Sequence, residues 1–167
     1  MSGKTSTLGK LIENLVYFRT EEEEELSILY IDSEGTFNVK FVNRFDSLTD
    51  EDFFLCKEHI IEKVWNQIET LLEKNAIDIV VIDSIGALQT MQEDDKAIQE
   101  NTVGALPKKI NTMIKKFYEA TEESGLTVIV VNQEYQNINT MGYGPQKTLK
   151  GGGALRYGKS ISLEVKN

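Results

Sequence analysis

Three short apolar runs rich in isoleucine and valine, residues 27–31, 77–82 and 126–131, punctuate the chain, and two of them lead directly into an aspartate. Short runs of this composition are the pattern of strands buried on both faces of a parallel sheet. Between them the apolar positions recur at helical spacing. They predict helices over residues 3–18, 50–74 and 103–123, the second with Phe54, Ile61, Val64, Ile68 and Leu72 on its apolar face. Strands that alternate with helices require crossover connections and predict an α/β fold: a mostly parallel, open sheet flanked by helices. In residues 160–165, Ile161, Leu163 and Val165 alternate with polar residues, which predicts a fourth strand nearer an edge or solvated on one face.

Composition narrows the class. A chain of 167 residues, 40% hydrophobic and 27% charged, is expected to form one globular domain, and no internal repeat or low-complexity linker divides it. No apolar run approaches the roughly 18 residues of a membrane span. No targeting segment is visible, so the expected compartment is the cytoplasm. One cysteine, Cys56, and one histidine, His59, exclude an intrachain disulfide and argue against a Cys/His zinc site. The five carboxylates of residues 21–25 are expected to be a solvated connection. Net charge is -9, which excludes a uniformly basic nucleic-acid binder. From residue 134 onward, however, five basic residues face two acidic ones, so this tail carries +3 and the remainder -12. Any contact with nucleic acid is expected there.

Chemistry-bearing residues cluster at predicted strand and helix ends. Gly3-Lys4-Thr5, followed by Ser6 and an amphipathic helix, is the closing half of a Walker A loop, G-x-x-x-x-G-K-[ST]. Glycine lets the backbone approach phosphate oxygens, and helix-terminal amides point at the anion. Lysine reaches the β and γ phosphates, and the threonine hydroxyl can ligate Mg²⁺. Only two residues precede Gly3, so the first glycine of the motif and its strand lie outside this sequence. Ile79-Val80-Val81-Ile82-Asp83 reads as a Walker B strand ending in a metal-binding acid, and Ile31-Asp32-Ser33-Glu34 supplies a carboxylate that can orient or deprotonate water. Asn132-Gln133, after the third strand, places an amide at the same sheet edge, able to donate to a γ phosphate and to move when it leaves.

Together these segments resemble the RecA family. The resemblance is most specific after the third strand. There Asn132-Gln133 is followed by a long polar loop through Met141-Gly142-Tyr143-Gly144-Pro145 and then by Lys150-Gly151-Gly152-Gly153-Ala154-Leu155-Arg156, which is similar to the family's second DNA-binding loop. The stretch from Ile82 to Gly104 is similar to the Walker B strand and first DNA-binding loop, and Ile31-Asp32-Ser33-Glu34-Gly35-Thr36-Phe37 is closer to the archaeal and eukaryotic recombinases. The resemblance runs from mid-Walker A to the strand after the second loop.

It implies a DNA-dependent ATPase that uses ATP and Mg²⁺ to assemble a helical filament on single-stranded DNA, pairs it with homologous duplex and promotes strand exchange in recombinational repair. By position, Glu34, Lys4 and Gln133 become the catalytic set. Gly3, Lys4, Thr5, Ser6, Asn38, Phe41 and Asp83 become the nucleotide site, with Thr5 and Asp83 on the metal, and Lys147, Lys150, Gly151, Gly152 and Arg156 the DNA contacts. The wording points to a bacterial or phage recombinase. Two departures lower the positive charge near DNA: Glu134 and Tyr135 stand where the family commonly has an apolar and then a basic residue, and Glu93, Asp94 and Asp95 make the first loop acidic. The rival expectations are another RecA-fold ATPase, such as a helicase or repair ATPase, and a catalytically silent DNA-binding or interaction module.

Overall fold

Alternation of side-chain direction along two central strands builds this molecule in three layers. The computed structural model describes residues 3–21, 26–37, 53–94, 105–136, 147–149, 155 and 160–165. Strand β1 (Ile28–Asp32) and strand β3 (Ile79–Asp83) are buried at every position. They pair in parallel, with strand β2 (Phe53–Cys56) outside β1 and strand β4 (Thr127–Val130) outside β3, giving the order β2-β1-β3-β4. All four strands run parallel.

Helix α1 (Gly3–Glu21) covers one face, where Leu8, Ile12 and Val16 pack on Ile28, Tyr30, Ile79 and Val81. Helices α2 (Ile61–Glu73) and α4 (Ala105–Ser124) cover the other. There Ile61, Val64, Ile68, Ile110, Met113 and Phe117 pack on Leu29, Ile31, Val80 and Ile82. Odd and even positions of each strand thus feed different cores, as a pleated chain must when both faces are covered. A short helix, α3 (Met91–Asp94), begins at Thr90, whose amide donates to Glu93 Oε2 at 2.8 Å while the Glu93 amide donates back to Thr90 Oγ1 at 3.2 Å. This reciprocal pair caps the helix start. Helix α4 stops at Gly125, whose φ of +73° is cheap only without a side chain, and its amide closes on the Thr121 carbonyl at 3.0 Å.

Three expectations need correction. The helix predicted over residues 50–74 starts only at Ile61, and Phe53–Cys56 is instead an edge strand. Phe54 lies seven residues before Ile61 and so imitates a helical repeat, but the local run Phe-Phe-Leu-Cys is short, unbroken and apolar, which is a strand pattern. Residues 160–165 make no ladder with any described strand, and Ile161 and Leu163 are 81% and 74% exposed. Alternation shows that a segment suits a sheet without showing what it pairs with. Finally, the ends of the long polar loop are ordered as an antiparallel ribbon, β5 (Glu134–Gln136) with β6 (Lys147–Leu149), Gln136 opposite Lys147. Among the described residues no helix is long and apolar enough to cross a membrane.

Ile68 on α2 is fully buried between helix and sheet. Ile68→Ala is expected to cost about 2–5 kcal/mol in urea unfolding. Ile161→Ala should change the unfolding free energy by less than about 0.5 kcal/mol.

Candidate nucleotide-binding site

The candidate site forms where β1, β3 and β4 end together. Register puts Asp32 beside Asp83, and hydrogen bonds continue the alignment beyond the strands. The Ser33 amide donates to the Asp83 carbonyl at 3.1 Å and the Ser33 hydroxyl to the Ser84 carbonyl at 2.6 Å. On the other side, the Val131 amide donates to the Ile82 carbonyl at 2.9 Å and the Ile85 amide to the Val131 carbonyl at 3.0 Å. The Asp83–Ser84 peptide is cis. Carboxyl ends of parallel strands are where open α/β sheets bind ligands, because the connecting loops splay apart there.

Three side chains from three strand ends meet at one oxygen. Glu34 Oε1 accepts from the Ser84 hydroxyl at 2.6 Å and from Gln133 Nε2 at 3.1 Å. Ser84 is buried, whereas Glu34 and Gln133 are exposed, so a buried hydroxyl anchors a carboxylate that still reaches solvent. Just before it, Asp32 turns inward. Its two carboxylate oxygens accept from the Thr36 amide at 3.1 Å and the Phe37 amide at 2.9 Å, closing a turn in which Gly35 takes φ +65°. Asp32 therefore shapes the loop and Glu34 faces outward from it.

Asp83 has a different partner. The hydroxyl of fully buried Tyr30 donates to Asp83 Oδ2 at 2.8 Å. Burial first, and then the nearby Asp83 carboxylate, push the Tyr30 phenol far above its ordinary range, so it keeps its proton and stays a hydrogen-bond donor. Its ring is packed by Phe37, 4.5 Å between centroids, and by Phe53 at 5.8 Å.

Lys4, in the first turn of α1, reaches the far side of the site, where its ammonium donates to the Asn132 carbonyl at 3.4 Å, next to Gln133. A β-carbon at Gly3 would stand 3.2 Å from Val165 Cγ1, so the start of α1 lies against Val165. Thr5 occupies the same helical turn, and Ser6 is exposed beside it.

The structure thus gathers Glu34, Gln133, Lys4 and Asp83 from the sequence-predicted residues at one edge of the sheet. Lys147 lies in β6. Asn38, Phe41, Lys150, Gly151, Gly152 and Arg156 lie outside the described residues. Among the described residues no cluster of three or more histidine, cysteine or acidic side chains forms a metal cage. Mg²⁺ takes one or two protein oxygens and fills its octahedron with phosphate and water. Asp83, a carboxylate at the strand end with one oxygen held by Tyr30, is chemically able to meet that requirement. A groove of about 710 Å³ between β2 and α2, lined by residues including Phe54, Cys56 and Gln67, contains none of these residues. Two members of the site escaped the sequence reading, Ser84 and Tyr30. Ser84 follows Asp83 directly, and Tyr30 shares its strand face with Asp32, which is the signal that parity would have given.

The model of the RecA N-terminal domain matches residues 2–167. The chain belongs to the RecA family. Among its relatives are the protein RecA of Campylobacter fetus, 29% identical over 137 residues that cover 82% of this chain and 39% of the relative. The protein RecA of Oleidesulfovibrio alaskensis is 31% identical over the same shares of each, and that of a Sulfurovum species 27% identical over 158 residues, 95% of this chain and 45% of the relative. The chain spans less than half the length of these relatives. Its parallel sheet and flanking helices are those of a RecA-like α/β core.

The Asp32 clamp carries a measurable consequence. Asp32→Ala leaves the Thr36 and Phe37 amides without their acceptors and should cost about 1–3 kcal/mol. Hydrogen exchange at these two amides is expected to accelerate well beyond that of the β1 amides.

Proposed function

We propose that this chain is the ATPase core domain of a RecA-type DNA recombinase, whose intact form uses ATP and Mg²⁺ to bind single-stranded DNA, pair it with homologous duplex and exchange strands in DNA repair. The observation that carries this reading is the convergence of Glu34, Ser84 and Gln133 on one carboxylate oxygen, with Lys4 at the same sheet edge. Lys4 and the amides of the α1 N-terminus, with Gly3 and Ser6, are the cradle for phosphate, and Thr5 and Asp83 would hold Mg²⁺. Asn38 and Phe41 are assigned to the nucleotide base. Bound there, Mg²⁺ supplies neutralisation of the charge that develops on the phosphates.

Glu34 is the acceptor for the proton of attacking water, and its exposure gives water access. Gln133 connects this step to DNA. Its amide donates to Glu34 Oε1, and the chain passes from it directly into β5 at Glu134. A phosphate oxygen that competes for the same amide withdraws one donor from Glu34 and shifts the root of the ribbon, so nucleotide state and the loop to Gly153 are coupled. Lys147, Lys150 and Arg156 offer charge to DNA phosphates, and Gly151 and Gly152 let the backbone come close. Filament assembly of the intact protein is head-to-tail and open, without closed symmetry. The compartment that fits this role is the cytoplasm of a bacterium or a phage-infected host.

Hydrolysis of ATP measured with and without single-stranded DNA tests the reading, and DNA-stimulated turnover is the expected result. Absence of nucleotide binding would instead identify a silent module. Glu34→Gln should lower turnover by about 10²–10⁴-fold while ATP binding persists; unchanged turnover removes Glu34 from the mechanism. Replacement of both Lys150 and Arg156 by alanine should weaken binding to single strands and flatten the slope of log affinity against log salt by about 1.4. An unaltered slope would move the DNA contact elsewhere.

A further inference from the structure

The side chain that holds Asp83 is tyrosine, where packing alone asks only for a ring. Tyr30 is fully buried, and its ring lies against Phe37 and Phe53, themselves stacked at 5.7 Å and 18°. Phenylalanine would fill the same space in this aromatic cluster. A hydroxyl there must find a partner, because a buried polar group without a hydrogen bond is costly. Its partner is Asp83 Oδ2, 2.8 Å away.

Register explains how the two meet. Tyr30 stands opposite Val81, and Asp83 is the next residue on the same face of the neighbouring strand, so the phenol reaches diagonally along the α1 side of the sheet. The ring is fixed from above by Phe37, which Asp32 locks in place through its amide. A rigid donor thus fixes one oxygen of the carboxylate and, with it, the plane of the group.

We infer that Tyr30 is a positioning residue for the metal site: through its hydroxyl it orients the Asp83 carboxylate toward the cation that accompanies the nucleotide. This rests on the reading of Asp83 as the metal-binding acid. Carboxylates that ligate metals are held by partners in a second layer, and loss of such a partner weakens metal affinity. Tyr30 does not touch nucleotide in this account, and its effect is on how much Mg²⁺ the site requires.

The test is Mg²⁺ titration of the binding of a fluorescent ADP analogue to the full chain, with circular dichroism as the check on folding. Tyr30→Phe should raise the Mg²⁺ concentration at half-effect by roughly tenfold, with binding in EDTA unchanged. Asp83→Asn should raise it at least as much. Ile12→Val, which loosens the same α1-side core and leaves the ring stack and the hydroxyl in place, is the packing control and should stay within about twofold of the unsubstituted chain. If Asp83→Asn shifts the Mg²⁺ requirement and Tyr30→Phe does not, the positioning role is wrong while the metal site stands. An equal shift in Tyr30→Phe and Ile12→Val assigns the effect to packing and also overturns it. If Asp83→Asn changes nothing, or the unsubstituted chain shows no Mg²⁺-dependent binding, the metal-site reading falls and the inference falls with it.

Discussion

Pairing of β1 with β3 in parallel, Ile28 opposite Ile79 through to Asp32 opposite Asp83, decides which side chains meet at the site. Side chains alternate between faces, so a slip of one residue would send Tyr30 and Asp32 into the core under α2 and α4 and bring Leu29 and Ile31 under α1. The core under α2 and α4 is built of buried apolar side chains and contains no carboxylate. The packing of eight apolar strand residues, 28–31 and 79–82, therefore enforces the placement of two acids. The same register delivers Ser33 to the Asp83 carbonyl and Ser84 to Glu34.

Three carboxylates lie close together at this edge, and their donors separate their work. Asp32 is occupied by main-chain amides and shapes a turn. Asp83 receives a buried phenol. Glu34 receives a hydroxyl from inside and an amide from outside, and it alone of the three is exposed. A carboxylate held by backbone is fixed as firmly as the fold, whereas one held by an exposed glutamine can exchange that donor for another. Identical functional groups thus differ in how readily each can be redirected.

Much of this was legible beforehand, for stated reasons. The β1, β3 and β4 runs are short, β-branched and unbroken, so fold class followed from pattern alone, and the acids at their ends followed from the way parallel sheets use that edge. Phe53–Cys56 misled because heptad spacing joined Phe54 to Ile61, so that a strand read as the front of a helix. The antiparallel pairing of Glu134–Gln136 with Lys147–Leu149 was hidden because polar residues carry little periodic signal. Tyr30 and Ser84 were overlooked for another reason. Their importance lies in contacts across strands, between residues about 50 positions apart in each bond, and no local pattern encodes such a distance.

The junction of Gln133 with β5 has a mechanical meaning. No residue separates the amide that touches Glu34 from the first residue of the ribbon, and that ribbon is braced by its ladder to β6. A single strand attached there would absorb a small rotation in its own torsions. A paired one behaves as a short stiff arm: three residues extend roughly 10 Å, so a turn of about 10° at the pivot carries the far end through nearly 2 Å. In the coupling proposed above, the ribbon would convert a rearrangement the size of one hydrogen bond into a displacement comparable with a fraction of a base step. The gearing is set by how early the ladder begins after Gln133.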